Sequence, residues 1–161
     1  MEHLWAPWRM RYILSEKEGN CIFCTTSSRR DDRKRLILHR SESSIIVMNR
    51  FPYNSGHLMV APMKHTGDLE DLSVPEPTDL SDLLKKTVML LRKAMNPEGF
   101  NIGMNVGRIA GAGVADHLHF HVVPRWRGDT NFMPIVSETT VVPESLEKTY
   151  EKLLSVLKEM D

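Results

Sequence analysis

The sequence predicts an α+β domain, an antiparallel sheet with two main helices packed on it, and two observations carry that prediction. Apolar and β-branched runs of strand length come in two pairs, and each pair is followed by an amphipathic stripe of helical period. The order strands, helix, strands, helix suits helices laid on an antiparallel sheet. A chain of 161 residues suits one domain, expected to span 1–161 with an N-terminal C-x-x-C segment and a C-terminal helix.

Taken in order, SSRRDDRKR at 27–35 reads as a solvated loop, its basic run interrupted by Asp31 and Asp32. SIIVMNR at 44–50 and HLMVAP at 57–62 flank the turn cluster FPYNSG and read as a hairpin. Leu80, Leu83, Leu84, Thr87, Leu91, Ala94 and Met95 then recur at helical spacing after a proline-rich entry, with Thr78 as candidate N-cap. FNIGMNV at 100–106 and HLHFHVVP at 117–124 read as two further antiparallel strands. Leu146, Tyr150, Leu153, Leu154 and Leu157 form a second stripe after Pro143. On the first helix Val88, Met89 and Leu90 lie off the core stripe, more apolar surface than a solvated helix should expose. Either a partner covers them, or Met89 and Leu90 pack beneath the C-terminal helix.

Lysine plus arginine number 21 and aspartate plus glutamate number 21, so no net field attracts a nucleic acid, and any phosphate must be bound locally. The apolar runs are too short for a membrane span, and MEHLWAPWRM lacks a secretory hydrophobic core, so the expected location is cytoplasmic. Cys21 and Cys24, the two cysteines, stand as C-x-x-C. Without an export signal, that spacing favours metal binding or redox chemistry over a structural disulfide, although two thiolates are half of a tetrahedral zinc site.

The most informative stretch is HLHFHVVPRW at 117–126. In a strand, residues two apart share a face, so His117, His119 and His121 project together while Leu118, Phe120 and Val122 project into the core. Imidazole can ligate a metal, move a proton or attack an electrophile at neutral pH. NVGRIAGAGVAD at 105–116 precedes the row, and five of the nine glycines lie between 99 and 113. Such a loop can turn successive backbone N–H groups toward an anion, although a plain glycine-rich connection has the same composition.

The pattern H-L-H-F-H-V-V resembles the motif of the histidine-triad (HIT) superfamily of nucleotidyl hydrolases and transferases. CIFC, GHLMVAPMKH at 56–65 and the asparagine-ended strand NIGMN support the resemblance, and HVVPRWRGDTNFMP is similar to the branch containing diadenosine tetraphosphate phosphorylases. The resemblance implies a nucleotide or dinucleoside polyphosphate substrate cleaved at the α-phosphate, phosphate or water as acceptor, and a covalent nucleotidyl-histidine on His119. His117 and His121 complete the catalytic set, with the backbone after Gly111 and Gly113 stabilising phosphoryl charge. It also implies His57 near the α-phosphate, Asn49 at the ribose and Asn105 beside the scissile phosphate. Cys21, Cys24, His65 and His117 would form a structural zinc site, with no organic cofactor, and the helix and the strand before the triad would build a homodimer. Many members carry Gln-Ser/Thr before the triad, whereas this chain has Gly113-Val114-Ala115-Asp116, so the leaving-group hydroxyl does not carry over. Three other readings stand beside this one: a hydrolase of other nucleoside phosphate derivatives such as phosphoramidates, a metal-dependent hydrolase with three histidine ligands, and a nucleotide-binding protein without turnover.

Overall fold

The computed structural model describes residues 21–24, 31–129 and 144–160. MEHLWAPWRM, residues 27–30 of the polar run, residues 130–134 of the phosphorylase-like run and Pro143 lie outside the described residues.

The central strands explain themselves. β2 (Ser44–Met48) and β3 (Leu58–Pro62) are buried at every position, as uninterrupted apolar runs require when both faces of a sheet are covered. Flanked by β1 (Ile37–Arg40) on one side and by β5 (Phe120–Arg125) and β4 (Gly99–Met104) on the other, they form a five-stranded sheet of order β1-β2-β3-β5-β4, antiparallel throughout. Alternate residues serve opposite faces. Ile46, Met48, Leu58, Val60 and Val122 meet the helices α2 (Pro75–Met95) and α3 (Leu146–Lys158), while Ile45, Val47, Met59 and Ala61 join Ile37 and Phe23 on the other face.

Local signals set the helix ends. α2 begins at Pro75 with Ser73 N–H and Oγ donating to the Glu76 carboxylate, so Thr78 lies one turn inside the helix and is not its N-cap. It ends at Asn96 in the left-handed region, followed by Pro97. Ser145 caps α3 by accepting from Lys148 N–H, and Tyr150 Oη donates to Ile37 O, fastening α3 to the edge strand.

Three further sequence expectations are revised. Asp32–Arg35 form a short helix, α1, held to β1 by an Arg40–Asp32 ion pair of 2.5 Å, rather than a loop. β1 is a fifth strand that the sequence reading did not include. Leu90 is fully buried, because α2 touches the sheet along one side and α3 along the next, whereas Met89 stays 52% exposed. No helix among the described residues is long and apolar enough to cross a membrane.

Candidate active site

The histidine row is built where two strands stop pairing. Leu58 pairs with Val122 and Val60 with Phe120, so Pro62 would pair next with Leu118, but proline has no N–H to donate. The β3–β5 ladder therefore begins at Phe120, as does the pairing of β5 with β4, and residues 117–119 run outside both, pinned by Leu118 N–H donating to Thr66 O at 2.7 Å. His117 uses that freedom. Its Nε2 donates to Pro62 O at 2.8 Å, which leaves the Nδ1 lone pair directed at Cys21 Sγ, 3.3 Å away, and Cys24 Sγ, 3.8 Å away. His65 Nδ1 lies 3.2 Å from both Cys24 Sγ and His117 Nδ1.

All four ligand atoms lie within 4.8 Å of one another. Tetrahedral zinc with N and S ligands places two nitrogens about 3.3 Å apart and a nitrogen and a sulfur about 3.5 Å apart. The observed separations of 3.2–3.8 Å match those edges, so the residues fit a zinc ion. Burial and the adjacent Cys21 thiol push the Cys24 thiol up, a penalty that a coordinated dication would reverse. Of the triad, only His117 belongs to this cluster, so the three imidazoles do not converge on one ion among the described residues.

His119 is oriented by backbone alone. Its Nδ1–H donates to His117 O at 2.8 Å, because a carbonyl can only accept, and Nε2 keeps the lone pair in the neutral ring. Burial holds its pKa below the usual imidazole value. The Phe23 ring, carried between the two cysteines, stacks on it at 4.7 Å.

His121 is oriented through His57. Tyr53 N–H donates to His57 Nδ1 at 3.1 Å and Asn49 Nδ2 sits 3.3 Å from the same nitrogen, so the His57 proton resides on Nε2. That Nε2–H donates to His121 Nδ1 at 2.9 Å, leaving His121 with a donor N–H on Nε2. His57 is 1% exposed. Burial, with the nearby His121 and His119, lowers its pKa to about 3. His119 and His121 thus present opposite functions, a lone pair and a proton, from rings 4.9 Å apart.

The glycine loop closes this edge of the site. Gly111 adopts φ +90°, its N–H donates to Arg108 O, and Asn105 Nδ2 lies 3.4 Å from Gly111 O. The loop packs on Gly67, where a Cβ would lie 2.6 Å from Ala115 O. Gly113 lies half-buried in the same loop.

Beyond His121 a cavity of about 450 Å³ opens, lined among others by Tyr53, Asn101, Asn105, Val123 and Arg125. Phe23, Tyr53, Asn54, Arg125 and Asp129 were not singled out from sequence. Phe23 had a signal, since it lies between the two cysteines and a metal there brings it along. Tyr53 acts through its main chain, which no side-chain motif announces.

The site is a row of oriented histidines beside a glycine loop, and comparison with known proteins places it among nucleotide-handling enzymes. The HIT domain matches residues 30–128, and the chain belongs to the HIT family of nucleotide hydrolases and transferases. It is 36% identical over 157 residues to an AP-4-A phosphorylase of Mycobacterium tuberculosis (strain CDC 1551 / Oshkosh), covering 92% of this chain and 80% of that one. It is 30% identical over 139 residues to an adenosine 5'-monophosphoramidase of Schizosaccharomyces pombe, covering 86% of this chain and 99% of that one. A zinc-bound histidine triad family protein from Mycobacterium smegmatis has the same fold, with TM-score 0.63, 24% identity, and coverage of 78% of this chain and 86% of that one.

The buried His57 gives a pH test. In the unfolded chain it titrates near 6.5 and in the folded protein near 3, so between those values only the unfolded state gains the proton. Stability therefore falls as pH drops through that window, by about 1.4 kcal/mol per pH unit for one proton. Urea unfolding of wild type and His57→Gln across this range should give a wild-type dependence steeper by about one proton. Parallel dependences would refute the assignment.

Proposed function

We propose that this enzyme cleaves dinucleoside polyphosphates such as diadenosine tetraphosphate at an α-phosphate through a nucleotidyl-His119 intermediate. The observation that carries the reading is the opposed pair of ring nitrogens, a lone pair on His119 Nε2 and an N–H on His121 Nε2. His119 Nε2 attacks the α-phosphorus, and an N–P bond forms as the bond to the bridging oxygen breaks, so that a nucleoside polyphosphate leaves with the electron pair. His121 Nε2–H hydrogen-bonds the phosphoryl oxygen on which charge develops, supported by the main chain after Gly113, since the N–H groups of Gly111 and Ala112 are spent on Arg108 O and Gly107 O. An oxygen of inorganic phosphate or water then attacks the same phosphorus and returns the electron pair to Nε2, releasing a nucleoside diphosphate or monophosphate. Asn105 beside the loop serves the scissile phosphate, Asn49 the ribose, and His57 the orientation of His121. The phosphoramidase relative supports a second reading with the same intermediate and ammonia as leaving group.

His119→Ala should lose at least about a thousandfold in turnover while still binding nucleotide, and wild type should be trappable as nucleotidyl-His119. Activity within about tenfold of wild type would dismiss the nucleophile. ADP among the products of diadenosine tetraphosphate in the presence of phosphate identifies phosphorolysis, and AMP identifies hydrolysis.

We infer that Cys21, Cys24, His65 and His117 hold a structural zinc, with Pro62 O fixing the His117 tautomer. Zinc bound there would fasten the cysteine segment to the strand ends without entering the reaction, because all four positions are filled by protein. The reduced thiols suit a cytoplasmic setting. Purified protein should contain about one zinc per chain, and Cys24→Ser should lower both zinc content and melting temperature. Full zinc occupancy in a Cys21→Ser/Cys24→Ser protein would exclude the site.

The edge strand β4 exposes Ile102 at 49% beside an α2 that exposes Met89 at 52%, and this surface supports a two-fold homodimer. Sedimentation at micromolar concentration should give about twice the 18.5 kDa chain mass, and Met89→Glu should shift it toward one chain. A wild-type mass of one chain would remove the dimer.

A further inference from the structure

The cavity beyond His121 shares His121 and Asn105 with the chemistry just described, and the rest of its lining has no part in that chemistry. It continues along β5 from His121 through Val123 to Arg125, four residues or about 13 Å, and across β4 from Asn105 to Asn101. Its volume of about 450 Å³ lies in the range of small-molecule sites.

Its chemistry is that of a nucleoside cradle rather than of an anion site. The Arg125 guanidinium is bound bidentately by Asp129, at 2.6 and 2.8 Å, and its Nη1 donates to Asn101 Oδ1 at 2.8 Å. Asp129 also accepts from Asn54 Nδ2 at 2.9 Å and from Trp126 N–H at 3.1 Å. The cation is therefore neutralised and held still, so it offers a flat face more than a charge. The Tyr53 ring, packed against His57 and His121, offers a second flat face near the catalytic end. Val123 contributes an apolar patch, and the amides of Asn101 and Asn105 supply neutral donors and acceptors. A planar heterocycle with a polar edge matches this lining. A polyphosphate does not.

Position selects which nucleoside. Asn49, assigned to the ribose of the retained nucleotide, follows β2, whereas the cavity lies chiefly on β5 and β4, with Tyr53 and Asn54 reaching it from the β2–β3 turn. In-line attack likewise sends the leaving arm away from His119. We propose that this cavity receives the nucleoside of the departing nucleotide, so that the site holds both ends of a dinucleoside polyphosphate. The proposal rests on the reading of His119 as nucleophile toward such substrates.

Gly103 provides the test. It lies opposite His121 on β4, its backbone is outside the left-handed region, and a Cβ there meets nothing within 4 Å, so Gly103→Phe fills the cavity without a clash at the backbone. Asn101→Trp fills it from the next position on that face. Diadenosine tetraphosphate, whose leaving group carries a nucleoside, is compared with adenosine 5'-phosphoramidate, whose leaving group does not. Both variants should lose at least about tenfold in kcat/KM for the tetraphosphate and stay within about twofold for the phosphoramidate. Unchanged tetraphosphate turnover in the variants, or equal losses on both substrates, overturns the proposal. The wild-type arm tests the parent reading separately: if neither substrate nucleotidylates His119, that reading fails before any variant is compared.

Discussion

The arrangement depends on His117, which joins two systems through three bonds. Its Nδ1 faces the two cysteines and His65, its Nε2 is spent on Pro62 O, and its carbonyl accepts the Nδ1–H of His119. The side chain is completely buried, so none of these bonds competes with water. A displacement of the cysteine segment would be felt at His119 through one peptide unit. Phe23, stacked on His119 and tilted against His117, adds a second mechanical link between the same segment and the same ring.

Orientation throughout the row is achieved with neutral groups. A carbonyl fixes His117, a carbonyl fixes His119, and a main-chain N–H fixes His57 and through it His121. This suits imidazoles that are meant to stay unprotonated, since a buried carboxylate partner would raise their pKa values. Desolvation instead acts in one direction, and it lowers His57, His117 and His119 together. An anionic substrate then meets polarised N–H groups and a lone pair instead of a cluster of imidazolium ions.

The fold was legible where one periodicity dominates. SIIVM and LMVAP could be read as strands, and the leucine stripes of α2 and α3 as helices, because each satisfies a single repeat over its length. β1 was not legible. It is four residues of edge strand with an irregular register between Ile37 and His39, and it ends in His39-Arg40 beside a charged run. Leu90 stayed open between a partner and the C-terminal helix because the pattern shows one contact face, while α2 has two, and the second covers Leu90 but not Met89. The triad strand was placed three residues early because period-two alternation continues through His117 and His119, whereas pairing with β3 stops where Pro62, fifty-five residues from His117, has no N–H to give, and pairing with β4 stops at Met104. The metal cluster illustrates the same limit. C-x-x-C is visible locally, but its approach to His117 across 96 residues is a property of strand order.

The departure before the triad bears on how a leaving group is handled. Where the family resemblance leads one to expect Gln-Ser/Thr, this chain has Gly113-Val114-Ala115-Asp116, and Ala115 is used as backbone: its carbonyl packs where a side chain on Gly67 would otherwise stand. The loop is thus fitted to the neighbouring turn and supplies no side-chain donor at that position. A substrate whose leaving group is a long polyphosphate does not depend on one contact at the bridging oxygen, because binding energy gathered from its far end can position the scissile bond. A leaving group of one or two atoms has no far end. On the proposed function, the absent hydroxyl and the polar cavity along β4 and β5 have one physical consequence: both fit substrates that are recognised at a distance from the bond that breaks.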